Sequence, residues 1–343
     1  MRASLSLPSS RALVRQSGAV LIMALLIVAL VAGLSIKFAG DFQLGLARAE
    51  SRWHGVQARA YLLGMESAAL QLLEKADQNP EVDYLGEGWD TEVPFEIDGG
   101  WILARAVDAS SQLNLNSLVG APFAPDKPAN SPERYSEPQR RFIRLLQTFP
   151  DLPVSEQQAI EILEAIVDWM DPDEEQSGFG GAESYYYQGL EPPYNSANGP
   201  FRSVDELRLV RYMTPELMML LRPYITVLPS EGGGGMNVNT LSPQLLRTLN
   251  GKNELQPLDE MAAQTLAEQL PIEGYPSLEA FSSAWGTAGG AASELVTEGL
   301  GVKTEYFWLY IQVDMVEQRR GMQVLLKRNA TKKFDVLLRN DTY

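Results

Sequence analysis

The sequence predicts an α+β protein. A long N-terminal transmembrane and amphipathic helix packs on a small antiparallel sheet, and a large two-lobed all-α insertion interrupts that sheet. Three observations predict this architecture. Residues 19–36 form an uncharged apolar run. Strand-like segments lie on both sides of a long helical middle, and that middle contains an internal repeat. Helices and strands that are segregated along the chain are typical of α+β folds.

The apolar run 19–36 ends at Lys37. At 1.5 Å of rise per residue, and with a lysine that can snorkel, a helix of this length just crosses a hydrocarbon core. The residues before it include Arg2, Arg11 and Arg15 and no acid. This bias predicts a single-pass protein with a cytoplasmic N-terminus and an exported remainder. The alternative is a secretory signal peptide, which is cut after the apolar run.

The helix is predicted to continue beyond the membrane and to end near Asn79–Pro80, because proline cannot extend it. Apolar residues recur along this continuation at alternating steps of three and four, which places them on one face as far as Leu70. We expect this face to be a seam for contact with other subunits. The seam residues are Leu46, Ala49, Trp53, Val56, Ala60 and Leu63.

The short basic leader ending in Gly18, the immediate apolar helix and the amphipathic continuation resemble type IV prepilins and type II secretion pseudopilins. The resemblance implies that a prepilin peptidase cuts between Gly18 and Ala19 and that Ala19 becomes an N-methylated terminus. Most members carry Glu at the mature fifth position, where this chain has Met23. That Glu is thought to pair with the terminal ammonium of the preceding subunit, so a subunit with nothing ahead of it would not need one. The departure and the chain length are similar to the K-type minor pseudopilins, the GspK family.

This resemblance implies a non-enzymatic minor pseudopilin at the tip of the periplasmic type II secretion pseudopilus, which initiates or limits assembly for protein export across the outer membrane. The implied location is the bacterial inner membrane, single pass, with the bulk of the chain in the periplasm. The implied partners are other minor pseudopilins in a hetero-oligomeric tip complex, the prepilin peptidase, and secreted proteins or the outer-membrane channel. The alternative is a calcium-dependent periplasmic protein that recognises secreted substrates.

Residues 80–100 are rich in Gly, Asp, Glu and Pro and are predicted to form a loop, followed by a strand at 101–107. Strand-like runs follow at 306–315, 321–328 and 332–340, and the first alternates with period two. One early and three late strands predict a single antiparallel sheet split by an insertion. The predicted domains are a leader at 1–18, the long helix at 19–79, the first part of a pilin-like sheet domain at 80–111, an inserted helical domain at 112–300 and the C-terminal strands at 301–343.

The inserted segment contains a repeat, since LNLNSL at 113–118 returns as MNVNTL at 236–241. Each copy is followed by a helical run and then by an aromatic-led segment, FRSVDELRLV or YPSLEAF. Two related lobes at about 112–230 and 236–300 are therefore predicted, joined by the flexible EGGGG at 231–235. Helix-hairpin-helix modules that bind nucleic acid are similar, but the second copy lacks a glycine hairpin and neither copy has a basic stripe.

Five acids lie within eight residues at the predicted C-terminus of a helix, where the helix dipole disfavours negative charge. A cation is therefore expected, and calcium suits a set of 6 to 8 oxygen ligands. The spacing is not that of an EF-hand, and a solvated acidic loop remains the alternative. The K-type resemblance, with a DxD element followed by GAE and bound calcium, favours the metal. The expected ligands are Asp168, Asp171, Asp173, Glu183 and Asn198.

Composition excludes several other classes of function. The chain has no Cys and a single histidine, His54, so it holds no disulfide, no thiolate site and no multi-histidine zinc site. The net charge is −16, and residues 151–200 contain eleven acids and no Lys or Arg, which makes nucleic acid a poor partner. Asp168 and Asp171 could act as a glycosidase pair. The chain offers no recognisable nucleophile or cofactor loop, so no catalytic residue is assigned.

Overall fold

The computed structural model describes residues 17–76, 81–120, 122–229, 235–289, 295–315, 318–331 and 333–342. Within these ranges the predicted α+β fold class is confirmed, with a long N-terminal helix, one antiparallel sheet and a largely helical segment between its strands. Most of the leader, the helix end at Asn79–Pro80 and most of the joint at 231–235 lie outside the described residues.

The helices run as follows: α1 (Ser17–Ala76), α2 (Glu137–Leu146), α3 (Glu156–Met170), α4 (Ser184–Gln188), α5 (Pro215–Leu221), α6 (Pro243–Leu246), α7 (Glu260–Glu268) and α8 (Leu278–Ala288). The strands run as follows: β1 (Val93–Ile97), β2 (Gly100–Asp108), β3 (Leu113–Asn114), β4 (Ile225–Thr226), β5 (Met236–Asn237), β6 (Leu300–Gly301), β7 (Tyr306–Met315), β8 (Gln318–Arg328) and β9 (Phe334–Thr342). Several 3₁₀ turns connect them.

The chain divides into two compact units, the first ending at Ala60 and the second beginning at Tyr61. The described part of the first unit is the α1 helix from Ser17 to Ala60. Its apolar side chains from Val20 to Ile36 are exposed. By length and composition this helix can cross a membrane, with a mean hydropathy of 2.9 over its most apolar window. An N-terminal apolar helix of this kind fits a single-pass membrane anchor.

The second unit contains the last turns of α1 and the sheet. Leu62, Met65, Ala69 and Leu73 are buried at steps of three and four, as expected of a helix that packs one face on a core. On the same stretch the buried Glu66 accepts two hydrogen bonds, of 2.7 and 2.8 Å, from the guanidinium of Arg339 on β9. The C-terminal turns of the helix are therefore attached to the last strand.

The sheet has the order β1-β2-β7-β8-β9, and every neighbouring pair is antiparallel. β7 has the predicted bounds and is the central strand. Its apolar residues Leu309, Ile311 and Val313 are buried, while Tyr310 between them is exposed, as a period of two requires. Local alternation therefore predicted the central strand correctly.

Two sequence-based expectations about the sheet were wrong. Residues 80–100 are not all loop, because Val93–Ile97 form the edge strand β1, which turns into β2 through Asp98 and Gly99. Gly99 has φ +81°, and an Asp-Gly pair between strands is a strong hairpin signal that the loop-like composition concealed. The strand predicted to begin at residue 321 begins instead at Gln318, because Gln318 pairs with Met315 of β7.

Residues 109–305 lie between β2 and β7, which are adjacent in the sheet although far apart in sequence. The buried apolar side chains of this segment, from Leu113 to Leu300, form one continuous cluster. The two copies of the repeat therefore share a single core rather than each having its own.

The two copies are built in the same way. In the first, the side chain of Asn116 donates to Phe201 O (3.0 Å) and accepts from Phe201 N–H (2.8 Å). In the second, Asn239 makes the same pair of bonds with the backbone of Tyr275, at 3.2 and 2.7 Å. In each copy, the Asn therefore binds the backbone of the aromatic residue that begins the last segment of that copy. Because a buried amide with both ends bonded is geometrically demanding, this equivalence supports a true internal repeat.

Candidate metal centre

The candidate site begins at the C-terminal end of α3. Helix α3 starts at a capping box, in which Ser155 accepts from Gln158 N–H and Gln158 Oε1 accepts from Ser155 N–H. It ends where Asp171 N–H donates to Val167 O, and Pro172 then prevents its extension. The helix thereby places Asp171 at the beginning of a long loop that leads to Glu183 and α4.

Three of the predicted ligands converge. Asp171, Asp173 and Glu183 each offer a carboxylate oxygen, and these atoms lie within 4.8 Å of one another. Glu183 is buried, Asp171 is half-buried and Asp173 is exposed. A cluster of three carboxylates, one of them exposed, has the oxygen-rich chemistry that calcium requires.

Several of these oxygens have no hydrogen-bond donor. Among the described residues, both oxygens of Glu183 and Oδ1 of Asp171 are buried without a partner. Burial, reinforced by the charges of Asp168 and Asp171, raises the pKa of Glu183 to about 8. Burial, reinforced by Asp173 and Asp168, raises the pKa of Asp171 to about 7. Buried acceptors are normally bonded, so the unpaired oxygens fit a site that a cation completes.

Asp168 is placed differently from these three. It is fully buried, and its two oxygens accept from Ser177 N–H at 3.1 and 3.4 Å. One turn earlier on α3, the buried Glu164 accepts from Gly180 N–H at 2.9 Å. These two acids hold the loop against the helix rather than joining the cluster of three.

The glycines of SGFGG make this close approach possible. A Cβ on Gly178 would lie 2.1 Å from the Glu164 carboxylate, and one on Gly181 would lie 2.3 Å from the Asp168 carboxylate. Only residues without a side chain fit at such distances. The role of Glu164 was not predicted from the sequence. The sequence feature that could have indicated this role is a second acid four residues before Asp168 on the same helix, followed by a glycine-rich loop.

Asn198 forms its hydrogen bonds with residues other than the three clustered acids. Its Nδ2 donates to Glu174 Oε1 at 3.0 Å, and its Oδ1 accepts from the Ser196 hydroxyl at 2.5 Å. Its backbone N–H donates to Trp169 O, which fixes it beside the end of α3. The left-handed φ of +44° is one that Asn tolerates. In this arrangement Asn198 braces Glu174 at the margin of the site.

The other predicted site residues lie on α1. Gly18 and Ala19 are exposed in the first described turns of the helix. All six seam residues are exposed, and Trp53 and Val56 are 70% and 69% exposed. His54 is exposed beside them. The seam is therefore an accessible apolar surface on the chain.

Comparison with known proteins identifies the family. Type II secretion system protein K of Aeromonas hydrophila is 34% identical over 69% of this chain and 70% of its own length. The protein of the same name from Pseudomonas aeruginosa is 30% identical over 95% of this chain and 92% of its own. The chain belongs to the type II secretion system protein K family. The family described as Type II secretion system (T2SS), protein K matches residues 111–230, which include the first repeat copy and the acidic loop.

A solved structure agrees with the fold. The structure titled as the GspK-GspI-GspJ complex from enterotoxigenic Escherichia coli contains a chain that matches 86% of this one with a TM-score of 0.69. The match covers 99% of that chain at 23% sequence identity, so it supports the fold alone. The protein K family consists of minor pseudopilins of the type II secretion system and is not known as a family of enzymes.

Proposed function

We propose that this chain is the tip subunit of a type II secretion pseudopilus, where it initiates or limits assembly of the fibre. The observation that carries the proposal is the size of the segment between β2 and β7, residues 109–305, which exceeds the sheet into which it is inserted. Subunits of a helical fibre need room on both sides. A segment of this bulk would obstruct any subunit stacked ahead of it, so the chain suits an end position.

The partners proposed for it are two smaller minor pseudopilins. Support comes from the solved relative, whose title describes a complex of GspK with GspI and GspJ. The exposed seam of α1 supplies an apolar surface for such contacts, since an unpartnered apolar helix face favours association. The prepilin peptidase acts earlier, cutting after Gly18 to leave an N-methylated Ala19. The mature helix then anchors the chain in the inner membrane, with its N-terminus cytoplasmic and its bulk periplasmic.

Calcium is proposed as the ion of the acidic loop, held by Asp171, Asp173 and Glu183 with backbone or water oxygens completing the shell. The unpaired buried oxygens of Glu183 and Asp171 support it. Asp168 and Glu164 position the loop, and Asn198 braces its margin. Oxygen donors without Cys or clustered His disfavour zinc. The ion would offset repulsion among the carboxylates and order the loop.

The length of the acidic loop also supports a specialised role. In the second repeat copy, residues 269–274 connect α7 to the aromatic residue Tyr275. In the first copy, residues 171–200 connect α3 to the equivalent Phe201. Loops much longer than the structural minimum are usually functional. The acidic loop, residues 171–200, is thus an extended connection that the first repeat copy has and the second does not.

Co-purification tests the tip assignment. The full-length chain in detergent should form a 1:1:1 complex with the two smaller pseudopilins of the same secretion system. Trp53→Arg with Val56→Arg should weaken that complex at least tenfold, because charge on the seam opposes burial of its apolar surface. Leu72→Arg is the matched control, since Leu72 is an exposed apolar residue of α1 outside the seam.

Fibre morphology provides a second readout of the same proposal. In secreting cells, excess chain should shorten the pseudopili seen by electron microscopy, because each fibre would be initiated or ended more often. Gold labelling should fall at one fibre end. Labels spaced regularly along the fibre would contradict the tip position, even if the complex forms.

A further inference from the structure

A second surface of the helical segment lies at the start of α3, next to the core. An open apolar groove of about 280 Å³ runs between the residues that precede α3, the first turns of α3 and the start of α5. Leu152, Val154, Ile162 and Leu217 provide apolar lining, and Tyr212 and Glu161 stand among the other lining residues. None of the three clustered carboxylates lines it. The groove is therefore a feature separate from the candidate metal centre.

Tyr212, the aromatic residue that lines the groove, has an unusual backbone conformation. Tyr212 has φ +67°, a left-handed value that a residue with a large side chain rarely adopts. Such conformations persist only where surrounding contacts impose them, and they cluster at binding sites. Tyr212 is 38% exposed and therefore available to a partner.

Arg211 supplies the contacts that hold Tyr212. Its guanidinium lies 4.5 Å from the ring centre of Tyr212 and 4.8 Å from that of Tyr186. Its Nη1 donates to Gly181 O at 3.1 Å, and its backbone N–H donates to the Tyr187 hydroxyl at 3.3 Å. The Arg211 guanidinium is thus enclosed by two rings and a carbonyl. These contacts fix the position of Tyr212 before any partner binds.

The charged residue that lines the groove is an acid, although the Arg211 guanidinium also lies 4.5 Å from the Tyr212 ring centre. Among the lining residues Glu161 carries the charge, and its Oε1 accepts from Gln157 at 3.0 Å. The surrounding stretch, residues 151–200, contains eleven acids and no Lys or Arg. A basic group would be attracted to this rim and an acidic one repelled.

We propose that the groove binds a protein segment that presents an aromatic or aliphatic side chain next to a Lys or Arg. The apolar side chain would pack on the partly exposed Leu152, Val154 and Tyr212, and the neighbouring cation would pair with Glu161. A pocket of this volume accommodates a single large side chain, as in recognition by one buried anchor with a charged flank. This inference does not depend on the tip position or on calcium.

Defined peptides test the proposal on the full-length chain in lipid nanodiscs. The probes are three fluorescent heptapeptides with a central Trp between two lysines, a central Ser between two lysines, and a central Trp between two glutamates. By fluorescence anisotropy at physiological ionic strength, the first should bind at least tenfold more tightly than either of the others. The Ser peptide lacks the aromatic ring and so tests the apolar contact. The glutamate-flanked peptide reverses the flanking charges and so tests the contact with Glu161.

Charge-reversal variants test the location. Glu161→Lys should weaken the lysine-flanked Trp peptide at least tenfold and strengthen the glutamate-flanked one. Glu268→Lys is the matched control, because Glu268 is an exposed helical acid that likewise accepts from a Gln four residues earlier, at 3.0 Å. It should leave both affinities unchanged. Circular dichroism melts of the two variants check that each remains folded.

Two results would overturn the proposal. Equal affinity for the three peptides would mean that the groove selects neither the apolar side chain nor the charge. Equal weakening by Glu161→Lys and Glu268→Lys would mean that the lysines respond only to the overall negative surface. The pseudopilin complex can be assayed in the same preparations, so failure here is distinguishable from failure of the tip assignment.

Discussion

At the scale of single residues, Glu183 is the most informative acid of the chain. It is 2% exposed, and in the described part of the structure neither of its oxygens accepts a hydrogen bond. Its pKa of about 8 and that of about 7 for Asp171 both reflect burial first and neighbouring carboxylates second. Without a cation, this corner of the fold must hold protons or bear unpaired charge. With a cation, the same oxygens become ligands.

Calcium should therefore stabilise the fold measurably. Calcium at 100 times its dissociation constant adds about 2.7 kcal/mol to the free energy of unfolding, which raises the melting temperature by several degrees. Asp173→Ala combined with Glu183→Ala should abolish the difference between melts in calcium and in excess chelator. Glu175→Ala, an exposed acid of the same loop outside the cluster, is the control and should preserve it.

The size of the calcium effect should depend on pH in a definite direction. An acid whose pKa is raised in the fold stabilises the metal-free protein fully below its unfolded value of about 4 and loses that contribution as the pH rises through 7 to 8. Calcium binds the ionised carboxylates, so its stabilisation should grow from pH 6 to pH 8. Melting temperatures of the wild type that are equal with calcium and with chelator at pH 8 would favour a solvated acidic loop.

At the scale of elements, α2 is the connection between the two repeat copies. Arg144 on α2 is fully buried, and its guanidinium donates to Thr248 O, Gly251 O and Glu254 O in the second copy at 2.7 to 3.1 Å. It also pairs with the buried Glu137 at 3.0 Å. A single side chain thus satisfies several carbonyls of the neighbouring copy and helps to hold the two copies together.

Replacing Arg144 should weaken the contact between the two repeat copies and so lower the stability of the fold. Arg144→Met leaves Glu137 and the carbonyls of 248–254 buried with fewer donors, so the free energy of unfolding should fall by about 3 to 5 kcal/mol. Urea denaturation, monitored by tryptophan fluorescence, measures this loss of free energy. Arg222→Met is the control, because Arg222 pairs with Asp205 where both side chains are about half exposed, and it should cost less than about 1 kcal/mol. A similar loss in both variants would argue against the connecting role of α2.

The elements also show where local sequence signals were sufficient. The alternation of 306–315 predicted the bounds of β7, because the period of a half-buried strand is a property of consecutive residues. β1 was missed because Val93–Ile97 is a short edge strand within a stretch rich in turn-forming residues. Its pairing with β2 is a tertiary fact, and only the Asp98–Gly99 hairpin signal pointed to it.

At the scale of the whole molecule, the proposed biogenesis begins at the N-terminus. Gly18→Leu should leave a full-length, membrane-held precursor, because a side chain at that position obstructs the prepilin peptidase. Intact-mass measurement of the wild type should give a mature chain that begins at methylated Ala19, and the variant should retain residues 1–18. Gly18→Ala, a smaller change, should be cut at least partly. A wild-type terminus near Ala39 would instead indicate a secretory signal peptide.

The sequence by itself determined the long apolar helix, the late strands, the repeat and the family, because each depends on composition, periodicity or motifs within a short stretch. It also identified the acids from which the proposed metal site is drawn. Only the tertiary structure decided that Asp171, Asp173 and Glu183 converge while Asp168 faces the loop backbone at Ser177. It likewise decided that the repeat copies share one core and that Tyr212 walls a groove. The reason is physical: which side chains meet depends on how distant segments pack, and packing is set by burial and hydrogen bonding across the whole chain.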